Sequence, residues 1–366
     1  MADIKIFAAD RIFTGDTWLH DQAIITNSGV IHEILPVPSV YEQDSLENFP
    51  GCFIAPAYLD LQIYGADKKL FAVYPDTDAL MKLRDYCNRG GAAFCLPTVA
   101  TNSRKVFYKC MDAIRAYWDG GGQGILGLHI EGPWINTIKK GAHIESFIHS
   151  PSMDEIKEML NYGKDVIKMI TLAPEVCDKR IIDYILASDI IISAGHSNAT
   201  YREAKNAFQY GITTATHLYN AMSPLQHREP GLVGAIFDGN VTASIIPDGH
   251  HVDYAAIRIA KDILEDRLFV ITDAVTETRE GYYQHYLSGD KYESAGILSG
   301  SALDMNKAMQ NLVNHVGIDL DEALRMCSLY PARVVKKAHE LGKVEKGYNA
   351  KLVVLDDTLQ LVKLIQ

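Results

Sequence analysis

Four side chains stand where apolar runs of the chain break off. Glu131 closes GILGLHIE, His196 follows DIIISAG, His217 follows ITTAT and Asp273 follows LFVIT. A carboxylate ending an apolar run is costly to bury unless it is paired or bound to a cation. Gly132-Pro133 then turns the chain at once. Two imidazoles and a carboxylate, with one position left open, are a familiar donor set for catalytic zinc or a similar divalent ion. Such an ion polarises a carbonyl oxygen and brings the pKa of a bound water toward ~7. A further carboxylate can take that water's proton and pass it to a leaving group, and Asp273 suits this role. The chemistry in prospect is hydrolysis of an amide, an ester or a ring C–N bond. Singly, each residue is a weak sign. A lone histidine at a strand end is ordinarily a hydrogen-bonded structural residue, and a lone aspartate there ordinarily caps a helix. Their force lies in convergence, which depends on the elements that carry them.

Those elements alternate. Eight apolar runs, GCFIAPAYLDLQI, AAFCLPTVA, GILGLHIE, VIKMITLAPE, DIIISAGHS, ITTATHLYN, VTASIIPDG and LFVITDAV, are separated in most cases by helical patterns. TDALMKLRDYCNRGG ends on two glycines, as a helix C-terminus does, and Thr200 with Glu203 reads as a capping box opening TYREAKNAFQYG. Eight β-then-α units with near-continuous apolar strands predict an α/β fold, a (β/α)8 TIM-like barrel over residues 51–342. A doubly wound open sheet is the alternative. In a barrel, catalytic groups gather at the C-terminal strand ends, where these four residues lie. The segments IKIFAADRIF, QAIITNSG and VIHEILP alternate and break at turn residues, and GKVEKGYNAKLVVLDD has the same texture. Residues 1–50 and 343–366 are therefore expected to form a small β-sandwich domain built from both termini.

The 366 residues are 48% hydrophobic with a formal net charge of −11, which speaks against nucleic acid and anionic membrane as partners. The six cysteines form no CxxC pair and several sit in apolar runs, so reduced thiols are expected. The N-terminus carries Asp3 and Asp10 and lacks the apolar core of a signal peptide. Nothing is apolar for long enough to span a bilayer. A cytoplasmic protein is the expectation.

The motifs LHIEGPWIN, KKGAH, SAGHSNATY, ATHLYNAM, REPGLVGAI, DGHHVDY, LFVITDAV and LSGSALDM occur in this order. Together they resemble the amidohydrolase superfamily and, within it, the family of deacetylases acting on N-acetylglucosamine 6-phosphate. The resemblance covers nearly the whole chain. It implies Glu131, His196 and His217 as ligands of one divalent metal ion per subunit, Zn2+ with Fe2+ or another ion as alternatives. It implies Asp273 as general base and then general acid. His143 would lie beside the acetyl carbonyl with Ala142 in contact, Asn220 and Ala221 would meet the sugar phosphate, and His251 would reach the substrate. Arg228 would reach the phosphate of the neighbouring subunit, in a homodimer. The implied reaction releases acetate from a phosphorylated amino sugar, in amino-sugar catabolism.

The departures are at Leu59–Asp67, LDLQIYGAD. Many amidohydrolases carry His-x-His there for a second metal, and related deacetylases carry Gln-x-Asn with a single metal. Here Gln62 and Tyr64 stand at those positions, sharing one face of a strand. Both are poor zinc ligands, so they are expected to support the metal site rather than bind the ion. The chain also stops at LVKLIQ, short of the family's usual final segment. His129 is expected to be a core histidine, with support of Glu131 as the alternative. His250 is expected to be solvent-facing or supporting, Asp248 to cap a loop, and Lys139 and Lys140 to be solvated. The aromatic run 282–286 has no assigned role. Competing readings are the galactosamine epimer as substrate, a cyclic-amide hydrolase of the dihydroorotase type, and an inactive barrel used as a binding module. The second lacks its His-x-His pair here, and the third is expected to have lost the ligand set.

Overall fold

The computed structural model of the chain describes residues 3–40, 45–294 and 296–366. These form two compact units. One runs from the N-terminus to Asp60 with Cys87–Phe94 and Asp304–Gln366, and the other comprises Leu61–Tyr86 and Cys95–Leu303.

All eight expected barrel strands form. They are β1 (Tyr58–Ile63), β2 (Ala92–Ala100), β3 (Leu128–Glu131), β4 (Ile167–Leu172), β5 (Ile191–Ala194), β6 (Thr214–Ala215), β7 (Thr242–Ile245) and β8 (Leu268–Val270). They neighbour one another in chain order, and β2 through β8 pair in parallel. Beyond β8 the chain closes onto the end of β1. Ala274 forms a parallel bridge with Ile63. The Asp273 amide donates to the Gln62 carbonyl at 3.0 Å, and the Tyr64 amide to the Ala274 carbonyl at 2.9 Å. The sheet is therefore a closed barrel rather than the open alternative. Every residue of β1, β3 and β5 is buried, the polar Asp60, Gln62, His129, Glu131 and Ser193 included.

A helix follows each strand: α1 (Thr77–Arg89), α2 (Arg104–Asp119), α3 (Met153–Gly163), α4 (Lys179–Leu186), α5 (Tyr201–Gln209), α6 (Gly231–Phe237), α7 (Tyr254–Leu264) and α8 (Met305–Asn311). The capping box at Thr200 and Glu203 is present, with both side chains bonding back to backbone amides. Helix α1 stops at the expected pair of glycines, the second with φ +77°.

The strands of both termini hydrogen-bond into one continuous seven-stranded sheet rather than two separate ones. Leu46–Pro56 lies parallel to Ile4–Phe13 and antiparallel to Leu352–Asp356, which ties the end of the chain to its beginning. Period-2 alternation puts Phe7 and Ala9 in one apolar cluster with Ile24, and Ile6 and Ala8 in another with Ala23, and the register shift between Ala9 and Arg11 brings Ile12 to the first.

Candidate active site

The barrel strands end abruptly where chemistry-bearing residues begin. His196, His217 and Asp273 all adopt left-handed backbone, with φ of 48°, 37° and 54°. For residues with a Cβ this conformation costs roughly 1–2 kcal/mol each. It lets the chain leave the barrel wall while the side chain stays over the barrel mouth. Such local strain gathers at ligand clamps and active sites. Glu131 is followed by Gly132 at φ +75°, where a Cβ would stand 2.1 Å from Thr101 Oγ1, so only glycine fits the turn.

These turns bring the four residues together. Glu131 is 1% exposed. Its Oε1 lies 3.1 Å from His217 Nε2 and 3.3 Å from His196 Nε2, and the two Nε2 atoms are 3.1 Å apart. Its Oε2 lies 3.1 Å from His143 Nε2 and accepts a bond of 2.6 Å from the Tyr64 hydroxyl. Gln62 Nε2 donates to Glu131 Oε1 at 3.0 Å and to Asp273 Oδ1 at 2.6 Å. Gln62 and Tyr64 thus tie the two carboxylates together. Asp273 was expected near the histidines, but its link to Glu131 through Gln62 is visible only in three dimensions.

The tautomers follow from the outer contacts. His196 Nδ1 donates to the Lys139 carbonyl at 2.9 Å, so in the neutral ring Nε2 carries the lone pair. His143 Nδ1 pairs with Thr101 Oγ1 at 2.7 Å, and its Nε2–H donates to Glu131. His251 Nδ1 donates to Asp248 Oδ2 at 2.5 Å, and Asp248 also accepts from the amides of His250 and His251. Asp248 therefore caps its loop and holds a ring as well.

Burial holds the His143 pKa down to about 4, helped by the facing His196. Burial alone would raise Glu131, but His196 and His143 outweigh it and hold the carboxyl well below its usual range. Burial opposes protonation of His217, yet its bond to Glu131 outweighs this and raises its pKa. Asp273 is raised, first by burial and then, against the attraction of His217, by the charge of Glu131. A carboxyl raised in this way is suited to taking and returning a proton.

Glu131, His143 and His196 each offer a ligand atom within 4.8 Å of the others, and His217 Nε2 joins the same cluster. His217 Nδ1 is buried without a hydrogen-bond partner among the described residues. Two imidazole nitrogens and a carboxylate oxygen facing one point concentrate lone pairs that a divalent cation would satisfy. The donor set fits such an ion.

The cluster floors a cavity also lined by Tyr64, Ala142, Asn220, Ala221 and His251, as expected from the sequence, and by Tyr283, His285, Leu298, Ser299 and Gly300, which sequence reasoning missed. The aromatic run 282–286 was the signal for Tyr283 and His285, and the LSGSALDM motif for Leu298, Ser299 and Gly300, though neither was given a role. No Lys or Arg among the described residues lines it. Arg228 is exposed, away from this lining, with no ion pair among the described residues. His129 is a core histidine: Nδ1 donates to the Leu61 carbonyl, Nε2 pairs with Thr171 Oγ1, and burial lowers its pKa to about 4. His250 is exposed and pairs with Asp290. Lys140 pairs with Glu145 at 2.7 Å.

Among the described residues, no helix is long and apolar enough to cross a membrane. Residues 89–365 match the model of the amidohydrolase family. Over 362 residues the chain is 34% identical to N-acetylglucosamine-6-phosphate deacetylase of Haemophilus influenzae, covering 96% of this chain and 95% of the relative. It is 30% identical to N-acetylgalactosamine-6-phosphate deacetylase of Escherichia coli O157:H7, covering 97% and 96%. The crystal structure of N-acetylglucosamine-6-phosphate deacetylase from Pasteurella multocida superposes with a TM-score of 0.95 at 33% identity, covering 99% of this chain and 98% of that one.

Proposed function

The chain belongs to the amidohydrolase family, and on that premise we propose that it removes the acetyl group of N-acetylglucosamine 6-phosphate, giving glucosamine 6-phosphate and acetate. The observation that carries the reading is the buried meeting of Glu131 Oε1 with the Nε2 atoms of His196 and His217, tied through Gln62 to Asp273. The names of the relatives support the substrate.

Glu131, His196 and His217 would hold one divalent ion per subunit, zinc by the nature of the donors. His217 is preferred to His143 because it shares Oε1 with His196, whereas His143 faces Oε2. When bound, the ion supplies polarisation of the acetyl carbonyl and acidification of water. Gln62 and Tyr64 hold the carboxylates in place and leave no second pair of imidazoles for another ion. Asp273 takes the proton of the attacking water on its carboxylate and returns it to the departing amine nitrogen. The Nε2–H of His143, fixed by Thr101 and directed at Glu131 Oε2, would pass to the acetyl oxygen once Glu131 engages the ion and charge develops on that oxygen. Ala142, Asn220, Ala221 and His251 border the cavity where the sugar and phosphate would lie, with Asp248 orienting His251.

Among the described residues, the cavity lining supplies no Lys or Arg for a dianionic phosphate. An exposed, unpaired Arg228 on a second copy of the chain would supply it, in a homodimer. The six free cysteines suit a cytoplasmic location.

The galactosamine epimer is kept as a second substrate reading because one relative carries that name. Metal-loaded protein incubated with each epimer, with acetate release followed, tests both. Preference for the glucosamine form supports the proposal, and preference for the galactosamine form replaces it with the second reading. Turnover of neither would overturn both.

A further inference from the structure

The chain between β8 and α8 does more than connect them. It folds as three short antiparallel strands, Tyr286–Ser288, Lys291–Ser294 and Ile297–Ser301, and brings Tyr283, His285 and Ser299 to the cavity. Tyr283 is pinned, its hydroxyl donating to the Thr101 carbonyl at 2.6 Å. Its ring stands edge-on to His143, with centroids 6.4 Å apart, and parallel to His285 at 6.3 Å. Thr101 therefore fixes both His143, through its hydroxyl, and Tyr283, through its carbonyl.

His285 is 4% exposed. Its Nδ1 pairs with Ser299 Oγ at 2.9 Å, and its carbonyl accepts from the Thr278 amide. Its Nε2 makes no hydrogen bond among the described residues, although the residue borders the cavity. Burial lowers its pKa to about 4, so the ring is neutral near pH 7. A neutral imidazole with one nitrogen anchored and the other left open in an enclosed site is a specific partner for a hydroxyl group. It offers no charge to a phosphate. Tyr283 contacts both rings, and no ring contact joins His285 to His143, the residue placed at the acetyl group, among the described residues.

We infer that His285 is a specificity-determining residue whose Nε2 hydrogen-bonds a ring hydroxyl, at C3 or C4, of the sugar substrate. The inference rests on the deacetylase reading and extends it to the sugar ring. Replacing the ring by one of similar shape removes the proposed hydrogen bond together with the Nδ1 pair to Ser299, whose hydroxyl then turns to other partners. His285→Phe should raise KM for N-acetylglucosamine 6-phosphate about 10-fold, the upper range for one neutral hydrogen bond, with kcat within about 2-fold of wild type.

The 3-deoxy and 4-deoxy forms of the substrate supply the readout that a merely structural role would not move. One of them should bind wild type about 10-fold more weakly than the full substrate, and that penalty should vanish in His285→Phe. Ser299→Ala provides a second variant that leaves the imidazole in place. By loosening its anchor it should raise KM about 3-fold and shrink the same deoxy penalty. If His285→Phe does not fold, judged by its near-UV circular dichroism, Ser299→Ala decides alone. Wild type that turns over the substrate, with variants of unchanged KM or unchanged penalties for both deoxy sugars, would overturn the inference and leave the deacetylase reading standing. Wild type that turns over neither epimer would overturn both.

Discussion

The hydroxyl of Tyr64 is the most informative single group to remove. It makes the shortest bond to the Glu131 carboxylate, 2.6 Å, against 3.0 Å from Gln62 and 3.1 Å from both His143 and His217. Tyr64 is half-buried, and desolvation of its hydroxyl together with the charges of Asp273 and Glu131 raises its pKa well above the usual phenol value, so it acts as a neutral donor. Tyr64→Phe deletes that bond and keeps the ring packed against the cluster of Leu70, Ala100 and Tyr283. Gln62 Nε2 keeps acceptors on both Glu131 and Asp273, so this amide is not stranded. A hydrogen bond to a charged group contributes about 1.5–3 kcal/mol. At about 1.4 kcal/mol per tenfold, the loss corresponds to roughly 10- to 150-fold. It should be divided between weaker divalent-ion affinity, because Glu131 is less firmly held, and lower kcat/KM at saturating metal. Ion affinity is measured by competition with a chromophoric chelator, and kcat/KM by acetate release. A variant within about 2-fold of wild type on both measures would show that Tyr64 merely fills space, and the support assigned to it would be wrong.

Asp273→Asn should lower kcat by about 10²–10⁴, the usual share of an acid–base group, while the metal content of purified protein stays unchanged. Metal analysis should find close to one equivalent per chain, and stripping by a chelator should abolish turnover until zinc is restored; two equivalents would refute the single site. Arg228→Ala should raise KM with little change in kcat. Mixing it with Asp273→Asn protein should restore activity through hybrid dimers, and no restoration would place the phosphate partner within one chain. His285 has its pKa lowered from 6.5 to about 4 by burial, so the unfolded chain binds the extra proton between those values. Stability should therefore fall as the pH drops from 6.5 toward 4. Urea unfolding at pH 7 and 5 should show a smaller loss for His285→Phe than for wild type, and an equal loss would contradict the assignment.

Much of this molecule was legible before its structure. The eight strands were visible because a parallel barrel buries both faces of each strand, so apolar residues recur without the alternation of a half-exposed strand. The residues that break those runs, Glu131, His196, His217 and Asp273, were visible as anomalies at strand ends. Short-range signals also held at the capping box of Thr200 and at the glycines after α1. His129 and Asp248 were legible only as types of residue. The hydroxyl that satisfies His129 comes from Thr171 on β4, and the ring that Asp248 orients is His251.

Hydrophobic period and strand termination are local properties of the chain, so the barrel, the end at which its polar residues gather and the donor types there are written in residue order. How those groups pair is set in three dimensions. Gln62 and Tyr64 stand on β1 or just beyond it, Glu131 ends β3, and Asp273 lies where the chain closes back onto β1. Apart from the bond of Gln62 to Tyr64, the bonds among them span from 67 to 211 positions. The same holds for Tyr283 and His285, whose segment carries no strand-end signature and reaches the cavity through Thr101 and Ser299. Hydrogen bonds over such separations are set by closure of the barrel and by the left-handed turns above it. Neither leaves a pattern in neighbouring residues.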